Sequence, residues 1–218
     1  FYDGGSSKMN FFATGLDYFV KGGPIMYPLL LCSIAAIAIC VERYLFFKKA
    51  DSGREFTKQF CAYVEQDNWV DAKHLADTTQ GEIAKLATIV MARYGNFERL
   101  ESFVQVRAER ALDKFENRLN YLNVIVTLAP VLGLLGTVTG MIGSFNHFSQ
   151  RLDNPLAVTA GIGEALITTV FGLCISIIAI CMYAYFNRRL ISISLNVGEM
   201  SNTLLEAIEK NLDKQEGK

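Results

Sequence analysis

In this chain of 218 residues, 51% of them hydrophobic, the apolar residues gather in long blocks rather than alternating with charge, which indicates a small polytopic membrane protein. Twenty-one Lys and Arg against 22 Asp and Glu leave no field to attract a polyanion, which argues against nucleic acid as a partner. The five cysteines form no CxxC pair and have no nearby histidine, which argues against a thiolate metal site or a disulfide framework.

Residues 1–23 read as an outer segment. Within it, NFFATGLDYFVKGG puts Phe12, Leu16 and Phe19 on one helical face before a Gly-Gly-Pro break, the pattern of a short helix lying on the membrane surface. The run IMYPLLLCSIAAIAICV follows, and residues 44–47 extend it past the Glu42–Arg43 pair. It predicts a first span over 24–47.

Residues 48–121 read as a helical cytoplasmic domain. Its last section sets Phe97, Leu100, Val104, Ala108, Ala111, Phe115, Leu119 and Leu122 at alternating three- and four-residue steps, a stripe expected to run unbroken into the second span. Spans two and three are predicted over 122–148 and 158–186, joined by an outer hairpin loop over 149–157. A C-terminal helix over 187–218 repeats the stripe with Val197, Met200, Leu204, Ile208 and Leu212. Both inner spans are thus expected to extend as long cytoplasmic helices, their stripes packing within the chain, between identical subunits, or both. The fold class is all-α, with three transmembrane helices.

Lys and Arg cluster after span one (Arg43, Lys48, Lys49, Arg54), before span two (Arg110, Lys114, Arg118) and after span three (Arg188, Arg189), whereas the hairpin loop carries Arg151 alone. The positive-inside rule then places the N-terminus outside and the C-terminus in the cytoplasm.

The second span contains LAPVLGLLGTVTGMIGSF, whose glycines and hydroxyls are unusual for a lipid-facing helix. Gly133, Gly136, Gly140 and Gly143 fall on one face, and span three answers with Ala165, Thr169, Gly172, Ser176 and Ala179. Small faces let helix backbones approach closely where lipid gives no hydrophobic drive for association. Pro130 interrupts the hydrogen-bond ladder, so a neighbouring helix or a wetted cavity must serve the freed carbonyl.

If the hairpin centres near Asp153, Thr137 and Thr169 lie sixteen residues to either side, at one level and near mid-membrane. Thr139 and Thr168 are neighbouring alternatives. The ordinary reading of such a threonine is a bond to a carbonyl one turn back. Glu164, the acidic residue of the third run, must be wetted or paired, so it faces either a cavity or the outer interface.

Together with TAGIGEALITTVFGL at 159–173, the span-two stretch resembles the two signature helices of the MotA/TolQ/ExbB proton channel family, in the order and with the hairpin the family shows. Three spans rather than four resemble its ExbB/TolQ branch. The resemblance implies a homopentamer in the bacterial inner membrane, whose second and third spans enclose a dimer of a single-span ExbD- or TolR-like partner carrying a membrane aspartate. It implies that Thr137 and Thr169 face that aspartate, and that Glu164 is the family's outer glutamate. Where relatives often read GLxxAIPA after the threonine, this chain has GLCISIIA, with Ile178 at the proline position.

These readings predict no cofactor and no metal. Protons are the expected cargo, and the Thr168–Thr169 pair leaves sodium as the alternative. A purely structural membrane scaffold is the competing function. No GxxxxGK[ST], HExxH or GxSxG motif is present, and His74 and His147 lack ligand or triad spacing, so no enzyme is predicted.

Overall fold

The structure, a computed structural model, describes residue 19 and residues 22–92, 100–150 and 155–216. Within these, the side chains of 146–150, 155–161, 164 and 213–216 lie outside the description. Seven α-helices are bounded within the described residues: α1 (Met26–Ala50), α2 (Gly53–Glu65), α3 (Trp69–Thr78), α4 (Glu82–Met91), α5 (Leu100–Glu116), α6 (Leu119–Gln150) and α7 (Pro155–Glu216). Helices α1, α6 and α7 contain segments long and apolar enough to cross a membrane. The expected surface helix falls, apart from Phe19, outside the described residues.

The chain divides into two compact units, one formed by Phe1–Cys40 with Tyr121–Tyr183, the other by Val41–Asn120 with Ala184–Lys218. In the first, α1 starts where Gly23, at φ +71°, and Pro24 turn the chain. Met26 N–H then donates to Gly23 O at 3.1 Å. Met26, Leu29 and Ala129 are buried together, with Phe19, Ile25, Leu132, Phe171 and Ile175 packed around them. The other faces of these helices stay apolar and exposed, as Leu31, Ile34, Ile37, Val131 and Ile177 illustrate, which is what acyl chains as solvent require.

In the second unit the periodic stripes become core. Leu100, Val104, Ala111, Phe115 and Leu119 are buried, as are Val197, Met200, Leu204 and Ile208 of α7. The stripes therefore find burial within one chain. Amphipathic α2 adds Phe56, Phe60, Cys61 and Val64, and burial raises the Cys61 thiol pKa, with Glu199 and Glu65 adding to the rise and a hydrogen bond with Thr203 opposing it. An aromatic cluster of Phe46, Phe47, Phe115 and Phe186 packs with neighbouring ring centroids 5.2–6.4 Å apart.

One expectation is corrected here. The stripe stays buried through Phe115, Leu119 and Leu122, but the helix carrying it does not run unbroken into the second span, because Asn117 and Arg118 form a turn between α5 and α6. The end of α5 has a specific acceptor arrangement that explains the break. Arg43, 4% exposed, donates from Nη1 to the carbonyls of Lys114 at 3.0 Å and Phe115 at 3.3 Å. These are carbonyls that a continuous helix would have bonded to Arg118 and Leu119. The same guanidinium forks onto Glu42 at 2.6 and 2.7 Å and stacks 4.6 Å from the Phe46 centroid. A buried cation on last-turn carbonyls is a favourable C-terminal cap.

Candidate functional site

The close contact of α6 and α7 is built on missing side chains. A Cβ added to Gly133 would come within 3.0 Å of Thr169 Cα, and one added to Gly172 within 2.5 Å of Ala129 O and 3.1 Å of Gly133 Cα. Gly136 lies against the Thr168 side chain, and Gly140 against buried Ala165. Those distances put the four glycines and Ala165 in the α6–α7 contact. Gly143, expected on the same face, meets no heavy atom within 4 Å among the described residues.

Backbones this close let side-chain hydroxyls of one helix reach carbonyls of the other. Thr169 Oγ1 donates to Gly133 O at 2.9 Å, and Ser176 Oγ to Val126 O at 2.7 Å. The second bond answers the problem posed by Pro130, which lies inside α6. Val126 O is the acceptor that would have taken the N–H of residue 130, and proline has none. Ser176 supplies the missing donor from the neighbouring helix.

The remaining hydroxyls are also committed. Thr137, 7% exposed, bonds Leu134 O in its own helix at 2.7 Å, and Thr139 bonds Leu135 O and Gly136 O. Thr168 is fully buried and donates to Gly22 O at 3.1 Å. Ser144, which the sequence did not single out, bonds Gly140 O at 2.9 Å. Each proton goes to a backbone carbonyl, which leaves the oxygen lone pairs free to accept.

Two sequence expectations change. Thr137 and Thr169 are not level, because Thr169 stands opposite Gly133, four residues or about one turn from Thr137. The small-residue contacts set the register, which is shifted from one centred on Asp153. Thr168, opposite Gly136, comes nearer the level of Thr137. The basis of the depth estimate changes as well. Gly22, which precedes α1, reaches Thr168, while Met26 and Leu29 pack at Ala129, Leu132, Phe171 and Ile175. Measured along α1, Thr168 stands at the N-terminal end rather than at the midpoint. Helices of 32 and 62 residues exceed a bilayer of roughly 20 residues, so counting from their hairpin does not give depth.

Glu164 belongs to α7, but its side chain lies outside the described residues. Over 119–186 the charged residues are Arg151, Asp153 and Glu164. Around Thr137, Thr169 and Ser176 the described side chains offer hydroxyl oxygens, and Glu164 precedes Thr168 by four residues, about one helical turn.

Fold and site together define an all-α multi-pass membrane protein with a hydroxyl-bearing, closely packed helix pair. The profile of the MotA/TolQ/ExbB proton channel family matches residues 75–199. An ExbB-like protein of Synechocystis is 32% identical over 174 residues, 77% of this chain and 68% of its own. The biopolymer transport protein ExbB of Salmonella typhimurium is 30% identical over 208 residues, covering 87% and 82%. The ExbB of Neisseria meningitidis is 27% identical over 206 residues, covering 85% and 93%. The chain belongs to the MotA/TolQ/ExbB proton channel family, on its ExbB/TolQ-like side.

Proposed function

We propose that this chain is the proton-conducting subunit of an energy-transducing motor complex in the bacterial inner membrane, with its N-terminus outside and its C-terminus in the cytoplasm. In this reading it forms a homopentamer around a dimer of a single-span ExbD/TolR-like protein, and ion flow does mechanical work on that partner. The supporting observation is the α6–α7 pair, which gathers hydroxyl oxygens in an apolar setting where Glu164 is the one acidic residue of the two apolar runs. Beside Glu164, a membrane aspartate on the partner would supply the proton carrier at that level.

The hydroxyl geometry gives the reading a mechanism. With its proton committed to Gly133 O, Thr169 offers lone pairs that accept from a protonated carboxyl or from a water. An ionised carboxylate needs donors instead, and a hydroxyl that swings off its carbonyl provides one without adding charge. Protonation and release would thus alternate the partner's preference between an apolar wall and the hydroxyls. Glu164 is proposed at the outer entry of the path, and Thr168 beside it.

The test is flux into liposomes holding this chain and its partner. Thr169→Ala and Thr137→Val are expected to lower ion flux at least about tenfold, equivalent to about 1.4 kcal/mol in the barrier, with the complex still assembled. Thr169→Ser should restore most of the flux, since it returns the oxygen. Normal flux in both variants would sink the role and favour a structural scaffold. Replacing protons by sodium as the driving gradient decides the cargo.

A further inference from the structure

Beyond the helix pair, a second place in the molecule is built to receive a ligand. A cavity of about 430 Å³ is lined by Asp51, Gly53, Arg54, Tyr185, Arg188, Arg189, Ser192 and Asn196. Arg54 and Arg188 are exposed and enter no ion pair within the described chain. Arg189 spends its charge on Asp51 at 3.0 Å, and Asp51 also accepts from Gly53 N–H at 2.9 Å. Two guanidinium charges remain uncompensated in one concave site.

Two further features make this a site rather than a charged surface. Asn196 is 6% exposed as a residue, lines the cavity and makes no hydrogen bond within the described chain, which leaves its amide available to a ligand there. The N-terminus of the 13-residue helix α2 opens onto the same space. Its Ser52 cap makes no side-chain bond there, because Ser52 Oγ accepts from Ala84 N–H instead. Gly53, at φ +81°, has no heavy atom within 4 Å of where a Cβ would stand, which leaves the backbone open to a ligand. With Gly53 N–H taken by Asp51, the arginine forks beside this helix N-terminus supply the donors that favour tetrahedral oxyanions.

We infer that this cavity binds a phosphate group. Its place in the sequence favours the phosphate of an anionic phospholipid. The cavity is bounded by residues just past the end of the first apolar run at Phe47 and of the third at Phe186. Tyr185, 48% exposed, is the amphipathic ring found at a membrane–water boundary. In the orientation proposed above, this is the cytoplasmic leaflet, where basic pockets beside membrane helices meet anionic headgroups. The binding claim itself stands on the cavity and is independent of ion conduction.

Native mass spectrometry of the detergent-solubilised full chain tests it, with titrations of short-chain phosphatidylglycerol, short-chain phosphatidylcholine and inorganic phosphate. Wild type should hold one phosphatidylglycerol per chain, and Arg54→Gln/Arg188→Gln should weaken it by roughly thirtyfold, at about 1 kcal/mol per charge. Asn196→Ala should weaken it through the amide alone. Both arginines are exposed and unpaired in the chain, so the double variant should melt like wild type in ligand-free detergent. Equal protection by inorganic phosphate would keep the site and identify a soluble phosphate as its ligand. Equal binding of both lipids and of phosphate by wild type and the double variant would overturn the inference.

Discussion

Replacing Ser176 by alanine isolates one bond on which α6 depends. Pro130 deprives Val126 O of its helical donor, and Ser176 Oγ stands 2.7 Å from that oxygen. Val126 is half-buried between apolar neighbours, so the orphaned carbonyl would have little access to water. Leaving a buried acceptor unmet costs about 1–3 kcal/mol, whereas side-chain bonds inside membrane proteins average about 0.6 kcal/mol with a ceiling near 1.7. Ser176→Ala should therefore destabilise the chain by about 1 kcal/mol. In a Pro130→Ala background the new N–H reaches Val126 O, and the same serine substitution should cost about 0.3 kcal/mol or less. The coupling, about 0.7–1 kcal/mol, exceeds the roughly 0.3–0.5 kcal/mol scatter of additivity for independent sites. Reversible unfolding of the four proteins in mixed micelles, followed by circular dichroism, measures it. Equal serine costs in the two backgrounds would refute the idea that Ser176 replaces the proline's missing donor.

The other expectations rest on separate contacts. Gly172→Ala forces a methyl against Ala129 O and the Gly133 backbone, atoms that cannot rotate away. It should cost about 1–3 kcal/mol of stability by overpacking, while Gly198→Ala, with open space around it, should gain up to about 1 kcal/mol. Paired thermal melts compare them, and equal effects would contradict the packing account. Arg43→Met strips the cap from α5 and one fork from Glu42, so a loss of about 2–3 kcal/mol is expected, with faster amide exchange near the Asn117–Arg118 turn. Unchanged exchange would separate Arg43 from that break. Burial raises the Glu82 carboxyl pKa, but the Lys114 and Lys85 ammonium groups outweigh it and hold the group below its ordinary 4.5. A depressed folded pKa stabilises above the unfolded value and loses that contribution as pH falls through the folded one. Glu82→Gln should accordingly flatten the stability loss on acidification below about pH 4.5, as read by melting across an acid series.

Three membrane helices, the stripes of the second unit and the small face joining α6 to α7 were legible in the sequence, because each is a periodic arrangement of residue size and polarity. Periodicity states which residues share a face, and burial of Phe115, Met200 and Leu204 follows from it. It does not state what that face meets. That Pro130 needed an outside donor was readable from its missing N–H, whereas the donor's identity, Ser176, depended on the register of two helices in space. The same register separates Thr137 from Thr169 by a turn, since glycine contacts rather than the midpoint of the loop fix how antiparallel helices slide. Arg43 makes the limit clearest. In one dimension it is a positive charge ending a span; in three it caps carbonyls 71 and 72 residues away, because hydrogen bonds act over ångströms and take no account of sequence distance.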